Sequence, residues 1–317
     1  MLLVGGENLI DLVQTDEADG LPLYQAVPGG SPFNLAIAAG RQGLETGYLS
    51  PISTDNSGDL LAARLHEAGV TMASGRHPAP SSLAMVTLKQ GVPSYSFYRD
   101  GTAERQISKA GLTAALTDQT RLFHIGSLAL AGGADSDIWE DFSQQCKDKG
   151  IAVSLDPNVR ASLVADPAAY RARLFRMMRR ADIIKLSDED LIWIYEGGAE
   201  QSALDQLVND SGADVLVLTR GEKGASVFHD GKWYDRAAVP LAELKDTVGA
   251  GDTFMATMLV WLAQRGGVDR LAALSADDKL AMIDRAAQAA AINCSRQGCN
   301  PPFADDMPPE MDESRTV

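Results

Sequence analysis

The chain of 317 residues carries 28 Lys and Arg against 43 Asp and Glu, a formal charge of −15 with the histidines neutral, and is 45% hydrophobic and 22% charged. This is the composition of an ordinary globular chain long enough to bury a large core, and without a Lys/Arg-rich run it lacks the basic face that nucleic-acid binding needs. Cys146, Cys294 and Cys299 are too few and too scattered for a disulfide framework or a zinc site, no run of about 18 apolar residues predicts a membrane span, and an N-terminus without a basic leader predicts a cytoplasmic protein.

The apolar run "MLLVGG" predicts a buried strand at the N-terminus. "GGSPFNLAIAAGRQG" predicts a helix with a Ser-Pro start and a stop at Gly43. A strand at "TGYLSPI" and an amphipathic helix at "SGDLLAARLHEAG" follow. Such alternation predicts a mostly parallel sheet with helices on both faces. The rhythm then breaks. "SSLAMVTLKQGVPSYSFYRDG" holds two alternating runs about Gln90-Gly91, which predicts a β-hairpin. With "LPLYQAVPGG" it predicts a small β-sheet flap, about 11–27 and 81–105, on a single α/β domain spanning 1–317. Alternation resumes with strands at "RLFHIGSLAL", "IAVSLDPN", "DIIKLSDEDL" and "ADVLVLTRGEKGASVFHDGKWY", the last continuing into a hairpin. Helices are expected over roughly 135–149 and through "AAYRARLFRMMRRA". Two more are expected to begin near Thr253 and Ala276, and the Pro-rich acidic tail 304–317 to be extended or disordered.

In open α/β sheets ligands bind beyond the carboxyl ends of the strands, which directs attention to "LKDTVGAGDTFMA", residues 244–256. Met255, Met258, Leu259 and Leu262 have helical spacing, so a helix should start near Asp252, just after Gly249-Ala250-Gly251. Glycines let backbone N–H groups approach a ligand, and a helix N-terminus adds free donors and partial positive charge. Together they suit the charge that builds on a phosphoryl group in transfer. Asp252 is either the N-cap of that helix or a base taking a proton from an attacking alcohol, and the stretch alone leaves both open. No Gly-Lys-Ser/Thr follows, so this is not a Walker A loop, and "GGENLI" is not G-x-G-x-x-G, which weighs against a dinucleotide-binding dehydrogenase. His66, His77, His124 and His229 form no motif.

"DTVGAGD" matches in form, and "PGGSPFNLAIAAGRQG" (28–43) resembles, the two signatures of the ribokinase-like (PfkB) carbohydrate kinases. The resemblance extends to about Pro302 and implies a ribokinase-like fold with the flap as its substrate lid. It implies that Asp252 is the catalytic base and that Gly249, Ala250 and Gly251 form the anion hole for the γ-phosphate. Asp11, Gly29, Gly30 and Asn34 match the family's sugar-contacting positions. Arg160, in "DPNVR", resembles the fructokinase and 2-keto-3-deoxygluconate kinase branch, where it lies near substrate and transferred phosphate. "YSFYRDGTAE" resembles the same branch and puts Tyr95, Phe97, Tyr98 and Arg99 on the lid, alternate side chains facing inward. The aromatics either contact the sugar or pack the lid to the body, and Arg99 is the candidate partner for the carboxylate of an acid sugar.

On the nucleotide side "LSDED" departs from the family's N-x-x-E, with Ser187 and Asp190 in those places. The resemblance implies that Asp190 acts on Mg²⁺ through water and that Lys185 lies near phosphates, although an ordinary strand-end lysine is the competing reading. Thr219, Gly221, Gly224 and Thr247 match the nucleotide loop, and Asn293 the adenine position. Asp246 falls where some members bind a monovalent cation, or it shapes the loop; the need for K⁺ is left open. The implied reaction is transfer from Mg²⁺·ATP to a sugar primary hydroxyl, with fructose giving fructose 6-phosphate as the first expectation. The alternatives are 2-keto-3-deoxygluconate, another sugar or nucleoside of the family, or a non-catalytic sugar-binding relative. The exposed lid edge predicts a homodimer through the lids.

Overall fold

Leu2, Leu3 and Val4 form strand β1 (Leu2–Val4), and all three are fully buried. A computed structural model describes residues 1–89 and 92–309 of the chain, with 87–89 and 92–95 described by their backbone. After β1 come β2 (Leu9–Ala18), β3 (Leu21–Gly29), α1 (Ser31–Arg41), β4 (Thr46–Tyr48), β5 (Ile52–Ser53), α2 (Asn56–Glu67), β6 (Thr71–Met72) and β7 (Arg76–His77). The hairpin strands β8 (Ser82–Lys89) and β9 (Val92–Tyr98) lead through α3 (Lys109–Ala114) to β10 (Leu122–Gly126), α4 (Ala134–Asp148), β11 (Ala152–Asp156) and α5 (Pro167–Arg180). Then follow β12 (Ile183–Ser187), α6 (Asp188–Ile194), α7 (Glu200–Asp210), β13 (Val215–Thr219), β14 (Ala225–His229), β15 (Lys232–Arg236), α8 (Ala250–Gln264) and α9 (Ala276–Cys294).

Among the described residues the main sheet runs β15-β14-β13-β12-β11-β10-β1-β4-β6, antiparallel only at β14 and β15. Alternation along β1 sends Leu2 and Val4 into one core and Leu3 into the other. The first core is closed by α1, α2, α8 and α9, the second by α4, α5, α6 and α7. Both faces of the parallel strands are therefore covered, which is why they read as continuous apolar runs. Strand order reverses between β1 and β10, the place where such a sheet opens a crevice beyond its carboxyl ends.

The flap is a separate four-stranded sheet, β3-β2-β8-β9, with β2 and β8 parallel. Its two predicted segments therefore pair with one another. Two boundaries differ from the sequence reading. Helix α8 starts at Ala250, three residues before Thr253, because Gly249 turns the chain at φ 73. The start of the expected tail is ordered: Ala304–Asp306 make one 3-10 turn, with Arg296 on Asp306 at 3.1 Å. Residues 310–317 lie outside the described part.

Candidate active site

The turn before α8 requires its glycine. Gly249 sits in the left-handed region, and a β-carbon there would collide with Cys299. Because α8 begins at Ala250, Asp252 is its third residue and not its N-cap, so the capping reading of this aspartate does not hold. Its carboxylate is 8% exposed and points away from the turn. Oδ1 accepts from Ser31 Oγ at 2.6 Å and Oδ2 from Asn34 Nδ2 at 2.9 Å. Burial pushes the Asp252 carboxyl up; the bonds from Ser31 and Asn34 and the charges of Lys185 and Arg160 only partly offset this. A carboxylate held in one orientation with a raised proton affinity is the form a general base needs.

Ser31 and Asn34 come from the first turn of α1. Gly30 caps that helix at φ 114, and a β-carbon on it would lie 2.5 Å from the Glu7 carbonyl oxygen. Gly29 is as close to Asp11, whose Oδ2 would be 2.5 Å from an added β-carbon. Burial pushes the Asp11 carboxyl up to about 6, with Arg160 pulling the other way. Asp11, Asn34, Asp252 and Arg160 thus converge where lid meets body. Arg160 is exposed, its guanidinium bonded to Asn158 Oδ1 at 2.6 Å.

On the other side of the α8 N-terminus lies a cavity of about 510 Å³. Thr219, Gly221, Gly224 and Thr247 border it, Ala250 and Gly251 form its inner end, and Phe254 and the small side chains of α9 form an apolar wall. Beneath Gly251, Lys185 is 4% exposed and paired with Asp156 at 2.7 Å. A β-carbon on Gly251 would lie 3.2 Å from Lys185 Nζ. Burial alone would discharge this lysine, but Asp156, with Asp190 and Asp252 further off, holds its proton affinity above the ordinary value. One helix start therefore separates an apolar cavity from a polar pocket; its Ala250 N–H donates to the Thr247 carbonyl at 3.2 Å, and Ala250 and Gly251 border the cavity, so the positive end of the helix lies where an anion would be favoured.

The sequence pattern of the pfkB family carbohydrate kinases matches residues 1–306. The chain belongs to that family. It is accordingly an ATP-dependent carbohydrate kinase. It is 35% identical over 265 residues to a fructokinase of Rhizobium leguminosarum bv. trifolii, covering 83% of this chain and 79% of that one. A fructokinase from Xylella fastidiosa with bound ATP superposes with a TM-score of 0.83 at 24% identity, over 97% of this chain and 94% of that one. A fructokinase from Vibrio cholerae O395, bound to fructose, ADP and calcium ion, gives 0.80 at 24% identity over 94% of each chain. These two likenesses show the ribokinase-like sugar kinase fold.

Several residues singled out in the sequence occupy other positions in this kinase. Arg99 does not offer a free cation to the pocket: Glu104 takes its Nε at 2.9 Å and Nη2 at 3.2 Å, and Nη1 donates to the Leu128 carbonyl at 3.2 Å. Phe97 packs with Leu9, Ala84 and Leu128, fastening lid to body, whereas Tyr98 is 57% exposed. The Tyr95 side chain lies outside the described residues. Asn293 does not border the cavity. It is fully buried behind the α8 turn, donating to the Val248 carbonyl at 2.8 Å and accepting from Asn300 N at 2.9 Å. Asp246 anchors the same turn through bonds from Val248 N at 3.0 Å and Gly298 N at 2.9 Å.

Ser187 and Asp190 form the capping box of α6, each side chain accepting from the other's backbone N–H at 3.0 Å. Asp190 Oδ1 also accepts from Val159 N at 2.7 Å, bracing the loop that carries Arg160. Ser31 and Glu7 were not singled out as site residues, since no local pattern marks them, whereas Asp156 opens the quoted "DPNVR" segment. The cavity wall on α9 did carry a signal: Ala287, Ala290, Ala291 and Cys294 recur at helical spacing, one smooth face of small side chains. No helix among the described residues is long and apolar enough to cross a membrane.

Proposed function

We propose that this kinase transfers the γ-phosphoryl group of ATP to the primary hydroxyl of D-fructose, giving fructose 6-phosphate. The observation that carries the reading is the Asp252 carboxylate, held by Ser31 and Asn34 beside the Gly249–Gly251 turn. The sugar hydroxyl gives its proton to Asp252 while its oxygen bonds to the γ-phosphorus. The bond from that phosphorus to the bridging oxygen breaks, and the electron pair leaves on ADP. The N–H groups at the start of α8 receive the charge spread over the γ-oxygens, and the buried Lys185 ammonium adds a fixed positive charge beneath them. Asp11 and Asn34 offer acceptors and a donor for the ring hydroxyls, and the exposed Arg160 acts on Asp11 and Asp252 through its charge.

Mg²⁺ carried by the nucleotide supplies charge neutralisation at the phosphates. The oxygen donors on the protein side fit such a hard ion. Among the described residues Asp156 Oδ1 is buried without a hydrogen-bond partner, and Asp190 lies near it, so these two would hold the ion through water. A dependence on K⁺ would act through carbonyls of the Asp246 turn and is read by comparing rates in potassium and sodium salts. The proposed setting is the cytoplasm. The proposed dimer joins lids through edge strand β3, where Leu21 is 68% and Leu23 47% exposed, and a monomer mass by light scattering would contradict it.

Fructose is favoured over 2-keto-3-deoxygluconate because Glu104 already holds the lid cation Arg99, which an acid sugar would need for its carboxylate. The relative at 35% identity, a fructokinase, points the same way. ADP release measured with fructose, ribose, 2-keto-3-deoxygluconate and adenosine tests the reading. Turnover confined to the acid sugar would overturn it.

A further inference from the structure

Glu7 stands between the end of β1 and the start of β2, where the chain leaves the body for the lid. It is 2% exposed. Its Oε1 accepts from Ser31 N, the first N–H of α1, at 3.1 Å. The N-cap residue of α1 is Gly30, which has no side chain to do this, so Glu7 caps the helix from a distant part of the chain. Its second oxygen, Oε2, is buried without a well-formed hydrogen bond among the described residues, with the Ser127 hydroxyl close enough to lower the carboxyl's proton affinity. Burying a carboxylate with one oxygen so weakly satisfied costs stability.

The charged and titratable groups facing Glu7 are few. Arg99 comes from the end of β9 and Glu104 from the segment after it; Tyr48 comes from β4 and Tyr170 from α5. Burial raises both tyrosines, so they stay neutral in the working range. Burial pushes the Glu7 carboxyl up to about 7, against the pull of Arg99. Its charge therefore changes in the range where a kinase is assayed, at the N-terminus of the helix that carries Ser31 and Asn34.

We propose that Glu7 is a positioning residue for phosphoryl transfer, holding the first turn of α1 so that Ser31 and Asn34 keep Asp252 aimed at the sugar hydroxyl. The inference rests on Asp252 as base, and it assigns Glu7 no contact with substrate. The carboxylate binds the helix N-terminus through charge as well as through its hydrogen bond. Protonated Glu7 keeps the bond and loses the charge, so the turn loosens as Glu7 titrates.

The test is steady-state kinetics of Glu7→Gln, Ser31→Ala and the double variant between pH 5.5 and 8.5, with fructose and ATP both varied. Glu7→Gln resembles the protonated acid. Its kcat is expected to fall about tenfold at pH 8.5, the scale of a small misplacement of a reacting group, with KM for ATP unchanged. The gap from wild type is expected to close by pH 5.5. In the Ser31→Ala background the same change is expected to cost less, since one of the two contacts it positions is already gone. Wild-type kcat in Glu7→Gln, or a deficit constant across pH, would overturn the proposal. If Glu7→Gln folds poorly, Glu7→Asp replaces it, keeping the charge but withdrawing it from Ser31 N. A similar fall in kcat supports the proposal and wild-type turnover contradicts it. Asp252→Asn run alongside separates the two ideas, because activity there overturns the base and a Glu7 variant with wild-type kinetics overturns only the positioning role.

Discussion

Ser31 and Asp252 are 221 positions apart in the chain, yet the Ser31 hydroxyl donates to Asp252 Oδ1 across 2.6 Å. This bond ties the first turn of α1 to the first turn of α8, between the lid-side pocket and the cavity bordered by Ala250 and Gly251. It also lowers the proton affinity that burial raises at Asp252. Ser31→Ala is therefore expected to shift the acid limb of kcat/KM to higher pH, because Asp252 then holds its proton longer. The loss of kcat at neutral pH is expected to be about 10- to 150-fold, the worth of one hydrogen bond to a charged group. A pH–rate profile checks both.

Gly249→Ala puts a β-carbon at φ 73 and against Cys299. The expected cost is about 1–3 kcal/mol of stability from the backbone alone, with a further rise in KM for ATP as the turn moves off the phosphates. Urea unfolding and nucleotide titration read the two effects separately.

Lys185→Met removes one member of a buried pair and leaves the Asp156 carboxylate unpaired. Breaking such a pair from one side costs about 3–5 kcal/mol. The variant is expected to unfold at lower urea and, where folded, to lose kcat, because the fixed charge beneath Gly251 is gone. Retained kcat in a fully folded Lys185→Met would show that the ammonium is only structural.

Glu7 carries a stability prediction of its own. Its carboxyl ionises near 4.5, the ordinary value, when unfolded and near 7 when folded. Between those limits the unfolded chain has released the proton and the folded protein has kept it, so stability falls as pH rises through this window and levels off above it. The slope is about 1.4 kcal/mol per pH unit at most. Glu7→Gln removes this dependence, so its melting temperature relative to wild type is expected to rise from pH 4.5 to pH 7.5. A difference that does not change with pH would contradict the buried, late-ionising carboxyl.

The alternation of strands and helices and the two-segment flap were legible in the sequence because period and turn residues are local properties. So was the Gly249–Asp252 turn, where glycines precede an apolar helical face. The partners of Asp252 were only half legible. Asn34 was singled out through its motif as a sugar contact and not as a partner of Asp252, Ser31 looked like one half of a Ser-Pro helix start, and the bonds of both to Asp252 exist only in three dimensions. Arg99, just past β9, illustrates the same limit: alternation says that half of the lid side chains face inward and cannot say that Glu104 would pair with Arg99. Asn293 was placed on the correct helix and on the wrong face of it, since its amide closes the turn from behind while the alanines of α9 border the cavity. At Asp190 the shorter side chain fits a capping box, a local pattern that Ser187 three residues earlier already spelled out.

The central claim is that Asp252 takes the proton from the sugar. Single-turnover formation of ADP by Asp252→Asn, at saturating ATP and fructose, tests it most directly. Asparagine keeps the shape and can still bond Ser31, so folding and nucleotide binding are expected to stay close to wild type. The rate is expected to fall by about 10²–10⁴, the usual contribution of a positioned base. A folded Asp252→Asn that turns over fructose within about twofold of wild type would contradict the account.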